Sequence, residues 1–154
     1  MSELPIRKNI RLKDFDYSEN GYYYITICTY KRQKLFEKST VGATLCGRPT
    51  EMITKWLMEL QNKFSDVKLC DYVIMPDHIH FILSKTGDHT GSPLRDVVTW
   101  FKTMTTNEYI RKVKEDEYSP FFKKVWQRGY YEHIIRDEKD YLTKAEYIKN
   151  NLYK

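Results

Sequence analysis

Cysteine is sparse and odd in number: Cys28, Cys46 and Cys70 are three, and none stands at the close spacing of a metal-binding pair. That speaks against a disulfide framework or a cysteine-built metal knuckle, and a reduced, cytoplasmic chain is the expectation. Long apolar runs are missing as well. The opening MSELPIRKNIRLKDF has no apolar signal core, and no segment approaches the roughly 20 residues that cross a bilayer. Neither secretion nor membrane insertion is expected. Linkers and internal repeats are also lacking, so residues 1–154 read as a single domain, long enough for a two-layer core.

What the chain does have is ring-bearing side chains and positive charge. Hydrophobic residues make up 41%, an ordinary share for a folded domain, but thirteen are tyrosines and three are tryptophans. Such rings bury area while keeping a polar end wet, and they stack on bases. With a formal net charge of +5, an anionic partner is indicated, and nucleic acid is the favoured one.

The stretch DYVIMPDHIHFIL, residues 71–83, organises the rest. It reads as strand, with Pro76 at a start or a bulge because proline withholds a backbone donor. Side chains alternate along a strand, so His78, His80 and Ile82 share one face while Ile79, Phe81 and Leu83 take the other. Two imidazoles, with stems roughly 6 to 7 Å apart, can converge on one metal ion or one phosphate. A pair of hydrogen-bonded histidines on a half-buried strand satisfies the same pattern.

Around it the elements follow in order. Arg7, Lys8, Arg11 and Lys13 form a basic N-terminal arm, either solvated or strapped over a phosphate backbone. GYYYITICTY is a strand by its aromatic and β-branched content, and a neighbouring strand is expected near KLFE. Gly42, Gly47 and Pro49 mark a loop or short hairpin, after which Thr50 is placed to cap a helix with the stripe Ile53, Trp56, Leu57, Leu60 and Phe64. TGDHTGSP is a loop whose His89 reads as solvent-facing. Ser92 as cap and Pro93 at the first helical position open a second helix, striped by Leu94, Val97, Val98, Phe101 and Met104. Beyond it, YYEHII suits a strand, with Trp126 and His133 at the core edge and Lys123, Lys124 and Arg128 lending a positive margin.

The last helix opens at Asp137, with Tyr141, Ala145, Ile148 and Leu152 as its buried stripe. A second row, Asp140, Lys144, Tyr147 and Asn151, runs beside it at spacings of four, three and four. Tyr147 is therefore off the apolar face. Packed across the histidine strand, that row presents a hydroxyl and, one turn on, an amide oxygen. An amphipathic tyrosine at a surface satisfies the same placement. Free tyrosine, of pKa about 10, is only about one part in a thousand ionised at pH 7. A site using it as nucleophile must supply about 4 kcal/mol of help, to which Lys144, one turn before it, either contributes electrostatically or stands as a solvated lysine.

Taken in order, RLKDFDYSENGYYYITICT, VIMPDHIHFIL, WQRGYYEHIIRDEKD and YIKNN resemble the REP-associated tyrosine transposases, the bacterial branch of the IS200-like Y1 family of HUH endonucleases. HIH corresponds to the HUH motif. The resemblance implies an α+β, ferredoxin-like two-layer sandwich, an antiparallel sheet with helices on one face and HIH on an inner strand. It makes HIHFIL a strand antiparallel to VKLCDYVIM, a boundary that the local pattern leaves open. It implies His78 and His80 as metal ligands, Tyr147 as nucleophile, and Asn151 as third protein ligand, where relatives use glutamine. Leu152 stands where the family commonly has proline. The implied chemistry is cleavage and rejoining of single-stranded DNA through a 5'-phosphotyrosine, with Mg²⁺ or Mn²⁺, at hairpin or REP-like sequences, by a monomer or homodimer. Arg7, Arg11, Lys123, Lys124 and Arg128 are candidates for DNA contact by charge. Two rivals are a domesticated DNA-binding protein without strand transfer and a metal-dependent phosphodiesterase that uses water.

Overall fold

The computed structural model describes residues 21–36, 48–85 and 93–151. Strands β1 (Gly21–Cys28), β2 (Val67–Met75), β3 (His78–Lys85) and β4 (Tyr131–Ile135) form one sheet in the order β2-β3-β1-β4. Every neighbouring pair is antiparallel. Helices α1 (Pro49–Lys63) and α2 (Leu94–Lys114) intervene after β1 and β3, and α3 (Glu138–Asn151) closes the chain. This is the expected ferredoxin-like α+β sandwich, with α1 and α2 as the helical layer on one face.

The strand period explains the two faces. Ile25, Ile27, Ile79, Phe81 and Leu83 are fully buried in the large core with Ile53, Leu57, Leu60, Val97 and Phe101 of the two helices. Tyr24, Val73 and Ile82 form a smaller cluster with Ile135 and Ile148, and so place α3 across the opposite face. The histidines belong to that second face by alternation. Pro76 and Asp77 turn β2 into β3, which settles the boundary as two paired strands with Met75 opposite His78. The proline lies in the turn, where its missing donor costs no ladder bond.

Several local expectations change. No strand forms near Lys34–Phe36; a short 3-10 turn, Tyr30–Arg32, occupies the approach, and β1 pairs with β3 and β4 instead. Phe36 is drawn inward, fully buried against Trp126 and with its N–H on the Pro76 carbonyl at 3.0 Å. Helix α1 begins two residues early, with Arg48 at the cap position and Pro49 in the first turn, so Thr50 is inside the helix. Pro93, not a residue of the first turn, holds the cap position of α2. In α2 the buried row passes through Thr105 rather than Met104, continuing to Glu108 and Tyr109. Thr105 is tolerated because its hydroxyl donates to Phe101 O at 2.8 Å and accepts the Trp126 indole N–H at 2.9 Å. Trp126 accordingly lies inside the core rather than at its edge. Glu108 accepts hydrogen bonds from Lys55 Nζ and Trp56 Nε1, both 2.7 Å, and so joins α2 to α1. No described helix is long and apolar enough to cross a membrane. The expected roles of Arg7, Arg11, Gly42, Cys46, Gly47, His89, Ser92 and Leu152 lie outside the described residues.

Candidate functional site

β3 is an inner strand, so its two histidines are held on both sides. Thr26 on β1 stands opposite His80, and its hydroxyl is 2.8 Å from His80 Nδ1. Tyr24, two residues earlier on the same face, stacks on the His80 ring at a centroid distance of 5.5 Å and 16°. His78 lies at the start of the strand, its ring 4.7 Å from that of His80. Asp77 Oδ1 is 2.7 Å from His78 Nδ1 and therefore selects the tautomer with the proton on that nitrogen. Arg32 completes this edge through its ion pair with Asp77, Nε 3.2 Å from Oδ2.

α3 brings the remaining partner. Tyr147 is 50% exposed, as its position off the apolar row requires, and its ring meets that of His80 edge-on at 5.4 Å. Histidine pair and tyrosine thus share one site within one chain. The helix is set there by Ile148, which packs with Tyr24, Val73 and Ile82. At its start, Asp137 Oδ1 caps the Asp140 N–H at 2.8 Å, and Asp140 Oδ2 meets His133 Nε2 at 2.9 Å. His133 is therefore an anchor for α3 at the sheet edge. Lys144 Nζ is 3.9 Å from Asp140 Oδ1 and 5.7 Å from the Tyr24 ring centre, so it is engaged beneath the helix rather than solvated. Asn151 is the last residue of α3.

The electrostatics follow from burial. His80 is 7% exposed, and its pKa falls from 6.5 to about 3, first by desolvation and then by the charges of His78 and Arg32. It is a neutral imidazole at physiological pH. Burial acts on Asp77 in the opposite sense, but hydrogen bonds from His78 and Arg32 outweigh it and hold the carboxyl below its ordinary value. Desolvation raises the Tyr24 hydroxyl well above its ordinary range, reinforced by Tyr147 and opposed by a hydrogen bond with Thr26.

Among the described residues His80 Nε2 is buried with no hydrogen-bond partner, an expensive state for a polar atom unless something else binds it. In the tautomer whose Nδ1–H donates to the Thr26 hydroxyl, that nitrogen carries a lone pair. His78 has the same arrangement, its Nδ1 held by a carboxylate. An imidazole tethered at one nitrogen is the usual form of a metal-ligating histidine, so the donor chemistry fits a divalent ion held by two imidazoles. Among the described residues no third histidine, cysteine, aspartate or glutamate joins them. Thr26, Asp77 and Arg32 were not singled out from the sequence. Asp77 immediately precedes HIH and Thr26 is a polar residue in an apolar strand, whereas nothing in the spacing marks Arg32.

Of the charge-based candidates, Lys123, Lys124 and Arg128 are exposed in the segment that follows α2. The segment reaches the site through Thr29, which bridges to Trp126 and donates its N–H to Asp77 O at 3.0 Å.

Comparison with known proteins places this geometry in a family. The model described as "Transposase IS200 like" matches residues 17–151. An uncharacterised Haemophilus influenzae protein is 34% identical over 157 residues, spanning 94% of this chain and 87% of the relative. Another protein of that organism, named as a candidate REP-associated tyrosine transposase, is 25% identical over 140 residues, spanning 88% and 72%. Among solved structures, a REP-associated tyrosine transposase bound to a REP hairpin aligns with a TM-score of 0.52 at 20% identity, covering 98% of this chain and 72% of that one. A candidate transposase from Deinococcus radiodurans aligns with a TM-score of 0.57 at 16% identity, covering 91% and 97%. At those identities the two structures speak for the fold. The family match extends over nearly all of the chain and includes both histidines and the tyrosine, and the chain belongs to the IS200-like Y1 transposase family.

Proposed function

We propose that the protein is a metal-dependent single-strand DNA endonuclease and strand transferase, acting through a 5'-phosphotyrosine on Tyr147 at hairpin or REP-like sequences in DNA transposition. The observation that carries this reading is the half-exposed Tyr147 ring 5.4 Å from His80, whose buried Nε2 has no partner among the described residues. His78 and His80, with Asn151 one helical turn beyond the tyrosine, would hold Mg²⁺ or Mn²⁺. When bound, the ion supplies Lewis-acid polarisation of the scissile phosphate and neutralises charge developing on its oxygens.

The chain's own groups do the rest. Asp77 fixes the His78 ring, Thr26 fixes that of His80, and burial keeps His80 neutral. Tyr147 Oη gives up its proton and attacks phosphorus, a tyrosyl O–P bond forms, the P–O3' bond breaks, and the departing 3' oxygen takes up a proton, so one proton is lost and one gained. One phosphodiester replaces another, so a later 3'-OH can reverse the step on the same or another strand without ATP. The hairpin-bound relative supports the choice of substrate.

The test is a denaturation-resistant adduct between the protein and labelled single-stranded hairpin DNA from its genomic flanks, formed with Mn²⁺. Tyr147→Phe removes only the nucleophilic oxygen and should abolish the adduct while leaving fold and most DNA binding intact. An adduct formed at the wild-type rate by the phenylalanine variant overturns the assignment. Cutting by the wild type without any adduct supports hydrolysis by water instead.

A further inference from the structure

The turn that delivers Arg32 to the histidines also carries a second surface. Lys31 and Arg32 have left-handed backbones, φ 54 and 56, a costly conformation for side chains with a Cβ. It turns Arg32 toward Asp77 while the preceding Tyr30 meets the segment after α2. There Phe122 is 62% exposed, and its ring stacks with Tyr30 at 6.2 Å and 23°. The pairing is pinned by one side chain. Gln33 Nε2 donates to Phe122 O at 3.2 Å and Lys124 O at 3.1 Å, and Gln33 Oε1 accepts the Phe122 N–H at 2.6 Å.

Cations flank the Tyr30 ring of this pair. Lys124 Nζ lies 5.1 Å and Lys31 Nζ 5.7 Å from the Tyr30 ring centre, and Lys123 is exposed between Phe122 and Lys124. Below them Lys102 Nζ donates to Gln127 O and Gly129 O at 3.0 and 2.6 Å. Core packing does not account for an exposed phenylalanine whose backbone N–H and carbonyl are both hydrogen-bonded to one glutamine side chain. A flat apolar face ringed by ammonium groups is complementary to a nucleobase flanked by phosphates.

We infer that Tyr30 and Phe122 form a stacking platform for an unpaired base of the DNA strand, with its flanking phosphates on Lys31, Lys123 and Lys124, next to the phosphate that reacts at His78 and Tyr147. The inference rests on the proposed single-strand substrate and assigns where part of that strand lies. A base within a duplex already has its faces covered by neighbours, so the platform selects unpaired DNA.

Binding is measured by fluorescence anisotropy in chelator, where no metal-dependent cleavage intervenes, with a labelled short oligodeoxythymidylate and a blunt duplex as probes. Phe122→Ala should weaken oligodeoxythymidylate binding by roughly fivefold to a hundredfold, leave duplex binding unchanged, and be rescued by Phe122→Trp. Equal losses on both probes, no loss on the single strand, or no wild-type binding to it would each overturn the platform. The adduct assay is run in parallel. An adduct with Phe122→Ala binding like wild type removes the platform and keeps the strand-transfer reading; loss of single-strand affinity in Phe122→Ala, with no wild-type adduct, does the reverse.

Discussion

The two faces of the sheet are made from the same strands and carry opposite duties. Toward α1 and α2, Tyr23, Ile25, Ile27, Ile79, Phe81 and Leu83 are fully buried in one large cluster. On the other face, the alternate positions are Tyr24, Thr26, His78, His80 and Ile82, and among the described residues one helix, α3, covers them through Ile148 and partly buried Tyr141 and Ala145. The difference shows how a small domain carries a polar site. One face supplies the hydrophobic stabilisation, so the other can hold an orphaned imidazole nitrogen and a half-exposed tyrosine at modest expense to the whole.

Truncating a large side chain on each face tests the contrast, and this is the largest effect expected. Phe81→Ala removes a fully buried ring that packs on Phe101 and should lower unfolding stability by about 3–5 kcal/mol. Ile148→Ala empties space in the small cluster, where α3 can settle inward, and should cost about 2 kcal/mol, the low end for such truncations. Urea denaturation of the two variants gives the comparison. Equal losses would mean that α3 belongs to the main core and that the site is not separately supported.

How the sequence announces each face differs in the same way. The core face was legible because alternation in β3 and the helical spacing of Ile53, Leu57, Leu60, Val97 and Phe101 have little else to mean. The pairing of His78 with His80 and the offset of Tyr147 from the apolar row were equally readable as periods. The polar contacts were not, because they join residues distant in sequence: Thr26 with His80, His133 with Asp140, Arg32 with Asp77. Arg32 depends on two successive left-handed residues that no glycine or asparagine signals. Met104 was expected in the core for its apolarity, whereas the face is set by the indole that Thr105 satisfies.

The helical layer is not without its own electrostatic conflict, which gives a second, smaller test. Desolvation first, and then Lys124, lower the pKa of Lys102 from 10.5 to about 8. Above about pH 8 the native chain has released a proton that the unfolded chain retains until near 10.5. Stability attributable to this group therefore rises with pH across that window. Below it, the partly buried cation is a constant handicap. Between pH 8 and 9.5 the wild type should gain on the order of 1 kcal/mol relative to Lys102→Met, after allowance for solvent screening. Parallel denaturation curves read the difference, and identical pH slopes would place Lys102 in a fully solvated setting.

The smallest effect concerns how α3 is fastened. Asp140 sits in the first turn, where a negative charge favours the helix dipole, and its carboxylate meets His133 Nε2 on β4 and lies 3.9 Å from Lys144 Nζ. Asp140→Asn keeps the shape and a possible hydrogen bond but removes the charge. Because the groups are partly exposed, 31% for His133 and 24% for Asp140, the loss should be about 0.5–1 kcal/mol. If α3 opens independently of the sheet, that loss appears locally: its amides should exchange hydrogen about two- to fivefold faster, while those of β3 keep their wild-type rates. Acceleration shared by β3 would show that helix and sheet open together, and the division between a stabilising face and a working face would then be one of chemistry alone.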